Sequence, residues 1–183
     1  MPQYVVFLRA INVGGRFLKM VALAEHVRTL GHTEVKTYIN SGNVLFQSRQ
    51  LSTERLATAM EDGLEPLLGF RSEAFVRTVP QLQAIAALAD ALRSRTGPDG
   101  DINVAFLQRP LTAEDEAAIA PLRNAQDDFV LDGHELYWLC QSKQSDSKFS
   151  NAVLERKLRT RVTFRRGSML QGLLAELKGV MRG

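Results

Sequence analysis

The chain has 183 residues, 45% of them hydrophobic and 23% charged, which is the ordinary balance of a globular protein, and its formal net charge is +3. Its single cysteine, Cys140, cannot form an internal disulfide, and without further cysteines or a His-x3-His pattern a structural zinc site is excluded. No uncharged stretch is long enough to span a bilayer and the amino-terminal residues lack a secretory signal, so we expect a cytoplasmic protein with no membrane partner and no metal or redox cofactor.

The first half of the chain alternates strand-like runs with helical patterns. β-branched and aromatic residues predict the strands, and apolar residues at helical spacing predict two helices, of which the first ends at Gly31 and the second is capped by Ser52. The predicted strands cover residues 4–9, 35–39, 44–46 and 73–79, and the predicted helices cover residues 20–30 and 52–67. The order is therefore strand, helix, strand, strand, helix, strand.

The second half repeats this order. A helix predicted over residues 81–92 leads to the turn-rich run Arg95–Gly100, which is the best linker candidate in the chain. Thr112 and Asp115 then form a capping-box pattern, and Ser150 is a helix cap. The predicted strands cover residues 102–107, 129–131, 135–140 and 162–164, and the predicted helices cover residues 112–122, 151–158 and 168–180.

Two βαββαβ orders in succession predict the fold class. This order is the ferredoxin-like pattern, in which an antiparallel sheet carries both helices on one face. We therefore predict an α+β protein made of two duplicated ferredoxin-like units with antiparallel sheets. The first unit is predicted to cover residues 1–95, including a connecting helix, and the second residues 101–183 with its basic carboxyl-terminal helices.

Three segments carry a family resemblance: residues 8–15 (LRAINVGG), 37–44 (TYINSGNV) and 147–158 (SKFSNAVLERKL). In order and spacing they resemble the bacterial family catalogued as domain of unknown function 1697. The resemblance implies an α+β fold with an internal duplication and implies no activity. The chain departs from the family pattern at Ala10, where glycine is usual, and at Phe164, Arg166 and Gly167, whereas Thr163 and Arg165 match. If residues 163–167 form part of a site, the departures at Phe164, Arg166 and Gly167 imply a changed specificity or a lost function.

The first candidate binding loop follows the first strand, after Arg9. In the run from Asn12 to Arg16, the adjacent glycines Gly14 and Gly15 let backbone amides turn outward, and the helix that follows favours an anion at its amino terminus. The run is neither a dinucleotide-binding fingerprint nor a Walker loop. The alternative is a tight turn with a structural role alone.

The second candidate loop contains Asn40, Ser41 and Asn43 around Gly42, which can adopt a positive φ. A hairpin turn needs fewer polar residues than this run supplies, so the run is a candidate for ligand binding; the alternative is a hairpin turn with a structural role alone. We expect the run to lie at the sheet end opposite to the end of the first strand. The two loops would then serve different surfaces unless side chains along the strands join them.

The carboxyl-terminal segment is basic. From Lys143 onward it carries ten lysines and arginines against three acidic residues, a net charge of +7, whereas residues 1–142 carry −4. Such asymmetry marks an anion-facing surface or a solvated helix face. We expect Lys148 and Arg165 to bind one small anion, to which the Arg165 guanidinium donates two parallel hydrogen bonds. The other arginines able to contact nucleic-acid phosphates are Arg159, Arg161 and Arg166.

Several chemistries are disfavoured by the same sequence. The run Ser145–Lys148 fits Ser-x-x-Lys but lacks its companion motifs. The pair Asp127 and Asp128 is predicted to lie in a turn, without a catalytic role. The third strand lacks the alternating aromatics of RNA-recognition modules. The best prediction is a binding module for a phosphorylated or otherwise anionic small molecule. The alternatives are an enzyme using the same polar site, or nucleic-acid or protein-partner binding through the basic segment.

Overall fold

The chain folds into two compact α+β units, the first from Met1 to Leu82 and the second from Gln83 onward. The computed structural model describes residues 1–180. Each unit has a four-stranded antiparallel sheet with the order of a ferredoxin-like fold. The fold-class prediction is therefore confirmed.

The first unit has the sheet order β2-β3-β1-β4. Its elements are β1 (Gln3–Leu8), α1 (Met20–Thr29), β2 (Thr33–Tyr38), β3 (Asn43–Gln47), α2 (Thr53–Leu68), β4 (Ala74–Thr78) and the start of α3 (Val79–Leu92). Strand β3 lies between β1 and β2 and is antiparallel to both. Strands β1 and β2 therefore run in the same direction and end at the same edge of the sheet.

The core of the first unit lies between one face of this sheet and helices α1 and α2. Alternate residues of β1 point into it, because successive side chains of a strand face opposite sides. Ser52 begins α2 by accepting a hydrogen bond from the Arg55 amide, and Gly69 ends the helix in the left-handed conformation. The buried residues of the cluster include Tyr4, Val6, Leu8, Leu23, Val27, Leu56, Met60 and Leu64.

The second unit repeats the arrangement with the sheet order β6-β7-β5-β8. Its elements are β5 (Asp101–Phe106), α4 (Ala113–Ile119), β6 (Asp127–Asp132), β7 (Glu135–Cys140), α5 (Asn151–Leu158), β8 (Thr163–Arg166) and α6 (Gly167–Val180). Short 3-10 turns cover residues 93–95, 120–122 and 144–146. Thr112 and Asp115 form the predicted capping box, and Ser150 caps α5.

An aromatic cluster fills the core of the second unit. Phe149, in the loop before α5, packs against Phe129 of β6 and Trp138 of β7, with ring centroids 4.6 and 4.9 Å apart. Phe164 of β8 meets the Trp138 ring edge-on at 6.1 Å. Such edge-to-face pairs add to the free energy gained from burial. The cluster fixes which face of β8 looks into this core.

The two units match each other in hydrogen-bond register. The amide of Leu8, at the end of β1, donates to the Gly42 carbonyl at 2.9 Å, and the amide of Leu107, just after β5, donates to the His134 carbonyl at 2.9 Å. In both units the acceptor belongs to the turn before the third strand. This shared detail supports an internal duplication.

Helix α3 contains the boundary between the units, which falls after Leu82 and thus before the predicted linker at residues 95–100. The later part of α3 is tied to the second unit, since the Gln171 side chain donates to the Ala86 carbonyl at 2.8 Å. The Gly97 amide likewise donates to Oε1 of Gln141 at 2.9 Å. These contacts explain why the turn-rich run belongs to the second unit.

Candidate functional site

Asn12 organises the first candidate loop. It lies in the left-handed region with a φ of +55°. Its Oδ1 accepts a hydrogen bond from the Leu18 amide at 2.6 Å, and its Nδ2 donates to the Leu18 carbonyl at 3.2 Å. The same Nδ2 donates to the Asn40 carbonyl at 3.0 Å. One side chain therefore closes the first loop and joins it to the second.

The expectation that the two candidate loops lie at opposite ends of the sheet is wrong. Phe7, near the end of β1, is paired with Asn43 at the start of β3. The turn between β2 and β3 therefore lies beside the end of β1. The physical reason is topological: β1 and β2 are both antiparallel to the strand between them, so both end at this edge. We call residues 10–19 and 39–42 together the loop cluster.

The loop cluster contains unusual backbone conformations. Among the described residues, five that are not glycine have a positive φ, and three of them are Ala10, Asn12 and Ile39. A left-handed conformation is disfavoured for side chains with a Cβ, above all for a β-branched residue such as isoleucine. Backbone strain of this kind concentrates at functional sites, where the surrounding structure maintains it. The positive φ predicted for Gly42 is confirmed at +76°.

Gly14 and Gly15 lie at the exposed tip of the first loop. Both have a positive φ, +62° and +81°, and a Cβ added to either would meet no atom within 4 Å. The space beside their backbone is therefore open. Arg16 follows, with its guanidinium 4.0 Å from the centre of the Phe70 ring. The loop thus presents backbone and one cation to solvent, as the binding interpretation requires.

Helix α1 begins directly after this loop and has no side-chain cap. Its N-cap residue is Lys19, which forms no capping hydrogen bond, and no acidic residue occupies the first turn. The first amides of a helix need acceptors and carry a partial positive charge. The start of α1 is therefore suited to an anion.

The remaining predicted residues of the first unit have structural contacts. The Arg9 guanidinium lies 3.6 Å from Oε2 of Glu73, and the Arg9 carbonyl accepts a hydrogen bond from the Ser72 hydroxyl at 2.7 Å. Asn43 is buried, and its Nδ2 donates to the Tyr38 carbonyl and to Oγ of Ser41. These contacts position β4 and shape the turn. The side chain of Asn40 is exposed.

Arg165 is buried on β8, with only 8% of its surface exposed. Its Nη1 donates to Oγ1 of Thr163 at 2.7 Å and to the Phe164 carbonyl at 2.8 Å. Loss of hydration on burial lowers the pKa of Arg165 to about 10. The guanidinium is thus held inside the protein and not presented at the surface.

Arg165 is buried on the face of the second sheet opposite to the one on which Phe149, the neighbour of Lys148, packs. Lys148 is exposed and precedes Phe149, which packs on the same face as Phe164. Because side chains alternate along a strand, Arg165 points to the other face. The structure therefore does not place these two cations around one small anion.

Arg77 is a buried arginine that the sequence interpretation missed. It is 7% exposed, and its Nη1 donates to the carbonyl of the preceding residue, Val76, at 2.9 Å. Arg77 lies opposite Val5 in β4–β1 pairing, and Arg165 lies opposite Val104 in β8–β5 pairing. The two arginines therefore hold equivalent positions in the two units. Arg77 is the one charged residue in the otherwise apolar run at residues 74–77, and this pattern could have indicated a buried arginine.

Two groups considered for chemistry serve the core of the second unit. Asp127 is buried in β6 and not in a turn as predicted, and it accepts hydrogen bonds from Trp138 Nε1 at 2.8 Å and from the Ser147 hydroxyl at 2.7 Å. Cys140 is buried, and burial raises the pKa of its thiol, which disfavours the reactive thiolate. Both residues have structural contacts that need no catalytic role.

Residues 1–180, the described part of the chain, contain neither a cluster of metal-binding side chains nor a membrane-spanning helix. No group of three or more histidine, cysteine, aspartate or glutamate side chains in that range is placed to hold a metal ion. No helix of the same range combines the length and the apolar character needed to cross a membrane.

Comparison with known proteins gives a family and a fold. The family described as "Protein of unknown function (DUF1697)" matches residues 1–137, and no curated protein matches the sequence. The solved structure of a conserved bacterial protein from Streptococcus pneumoniae is similar over 97% of this chain and 99% of that one, with 24% identity and a TM-score of 0.76. At this identity the similarity concerns the fold alone. Because the family match covers most of the chain, this protein belongs to the DUF1697 family of proteins of unknown function.

Proposed function

We propose that this protein is a binding module for a phosphorylated or otherwise anionic small molecule, and that the loop cluster is its site. The observation that carries the proposal is the set of hydrogen bonds from Asn12, which holds the two polar loops together at one edge of the first sheet. Preorganised loops at the end of a rigid sheet are a common setting for ligand recognition.

The charge around the loop cluster supports an anionic ligand. Residues 1–24 contain three cations, Arg9, Arg16 and Lys19, and no aspartate or glutamate, and the run 37–50 is also free of acidic residues. The uncapped start of α1 adds backbone donors with a partial positive charge. Arg9 is paired with Glu73, so Arg16 and Lys19 are the cations of the loop cluster itself, and with the backbone donors they favour binding of a phosphate or carboxylate group.

Exposed apolar side chains beside these donors support a ligand with an apolar part. Val13, Phe17 and Ile39 are 55%, 82% and 53% exposed, and all three belong to the loop cluster. Neighbouring apolar groups that remain in contact with water often mark a binding surface. The proposed ligand therefore places its anionic group at the start of α1 and packs its remaining atoms against these side chains.

The proposal is tested by calorimetry with the Lys19→Ala variant. Inorganic phosphate, sugar phosphates and nucleotides are first screened by thermal shift, and the best compound is titrated. We expect Lys19→Ala to weaken binding about tenfold, equivalent to about 1.4 kcal/mol, because a charge-assisted contact is lost.

Arg55→Ala is the matched control. Arg55 is an exposed cation in the first turn of α2, which follows β3 and so lies at the other end of the sheet. Its removal should leave the affinity unchanged. An equal loss in both variants, or no compound that raises Tm, would overturn the proposal.

A further inference from the structure

A groove of about 520 Å³ on the surface of the second unit is lined mainly by charged residues. It lies where α5 ends and the chain turns toward β8. The lining residues are Ala152, Glu155, Arg156, Arg159, Thr160 and Arg161. Three arginines against one glutamate give the lining a net charge of +2, and no aromatic side chain is among them.

Helical geometry explains why these side chains share one groove. Ala152, Arg156 and Arg159 are spaced four and three residues apart, so they lie along one face of α5 and its end. Alanine at the first position leaves room above the helix. Arg159 ends the helix in the left-handed conformation, with a φ of +53°, and this turn brings Arg161 to the same groove.

Glu155 is engaged by its own neighbours. Its Oε1 accepts a hydrogen bond from the Val162 amide at 3.1 Å, and its Oε2 lies 3.2 Å from Nη1 of Arg161. By contrast, the guanidinium groups of Arg156 and Arg159 form no hydrogen bond or ion pair with any of the residues 1–180. The groove therefore offers at least two guanidinium groups that no carboxylate of the described chain neutralises.

We propose that this arginine groove binds the phosphate backbone of nucleic acid without reading its sequence. Sites for small molecules are usually lined by apolar and aromatic side chains, and this groove offers only Ala152 and Thr160 besides its charges. Guanidinium groups form paired hydrogen bonds with phosphate oxygens. Phosphate contacts position nucleic acid but carry no sequence information, so three arginines and no aromatic platform suit a backbone contact.

A purely structural explanation of these charges makes a different prediction. Cations in the last turn of a helix stabilise it through the helix dipole, and α5 has both Arg156 and Lys157 there. Lys157 is exposed but does not line the groove. A role through the helix dipole predicts the same effect for both residues, whereas the proposed groove uses Arg156 and not Lys157. Lys157 is therefore a matched control on the same helix.

The test is the salt dependence of binding to a short fluorescein-labelled DNA duplex, followed by fluorescence anisotropy. With about two phosphate contacts, from Arg156 and Arg159, the slope of log K against log salt should be about −1.8. Arg156→Ala should weaken binding and reduce the magnitude of that slope by about 1. Lys157→Ala should leave the slope unchanged.

Arg159→Gly separates binding from folding. Glycine accepts the left-handed conformation at the end of a helix, so this change should raise Tm by about 2–4 °C while it weakens DNA binding. A structural role alone would raise Tm without changing the affinity.

Three results would overturn the proposal. The first is no DNA binding at low salt. The second is an equal change of slope in Arg156→Ala and Lys157→Ala, which would indicate a diffuse basic surface. The third is binding of inorganic pyrophosphate, weakened by Arg156→Ala, without binding of DNA, which would indicate a small-molecule site.

Discussion

Gly42→Ala is expected to destabilise the first unit, because Gly42 lies at the contact on which the loop cluster depends. Its carbonyl accepts the hydrogen bond from the Leu8 amide at 2.9 Å, and its φ is +76°. A Cβ added there would lie 2.8 Å from Cγ1 and 2.9 Å from Cβ of Ile11, with Cβ of Leu8 at 3.2 Å. Both neighbours are buried, so neither can move away without disturbing the core.

The expected loss of stability has two parts. A side chain in the left-handed conformation costs about 1–2 kcal/mol, and forcing an extra methyl into a packed core costs about 1–3 kcal/mol. Gly42→Ala should therefore lower the free energy of unfolding by roughly 2–5 kcal/mol. Gly14→Ala is the matched control, because its φ is +62° but its Cβ meets no atom within 4 Å. Gly14→Ala should therefore lose only the stability that the left-handed conformation costs, about 1–2 kcal/mol.

Urea denaturation followed by far-UV circular dichroism measures the difference. The single tryptophan, Trp138, belongs to the second unit, so its fluorescence does not report directly on this change. We expect Gly42→Ala to be less stable than Gly14→Ala by about 1–3 kcal/mol. Equal stability of the two variants would refute the argument from the close approach of Ile11.

Two further predictions concern the second unit. The Arg109 guanidinium is paired with both oxygens of Asp115 and holds the pKa of that carboxyl below its usual value. The ionised Asp115 therefore stabilises the folded protein at pH values above the usual aspartate pKa, and this stabilisation is lost as the pH falls through the lowered pKa. Asp115→Asn should therefore be less stable than the unsubstituted protein by about 1 kcal/mol at neutral pH. Urea denaturation at several pH values should show that the variant loses less stability on acidification. Parallel pH profiles of the two proteins would contradict this. Cys140 is buried, and burial raises the pKa of its thiol. The thiol should therefore resist iodoacetamide in the folded protein and react once urea unfolds the protein, as measured by mass spectrometry. Rapid labelling of the folded protein would show instead that the thiol is accessible.

The sequence alone was sufficient for the order of elements and for their local signals. Ser52, Thr112 and Ser150 cap the helices that they were predicted to cap, and Gly42 adopts the predicted positive φ. Each of these features depends on residues within one turn of helix or one hairpin, so the pattern and the structure are governed by the same local contacts. The duplicated ferredoxin-like order follows from their succession.

Tertiary structure decided which polar residues meet. Asn12 and Asn40 are far apart in the chain, and their contact requires β1 and β2 to end at the same edge, which holds only because β3 pairs between them. The local pattern likewise could not show which face of β8 looks into the aromatic core, so it grouped Lys148 with Arg165. The order in which strands pair, and the face of the sheet to which each side chain points, depend on burial across the whole sheet. A short stretch of sequence does not specify either of them.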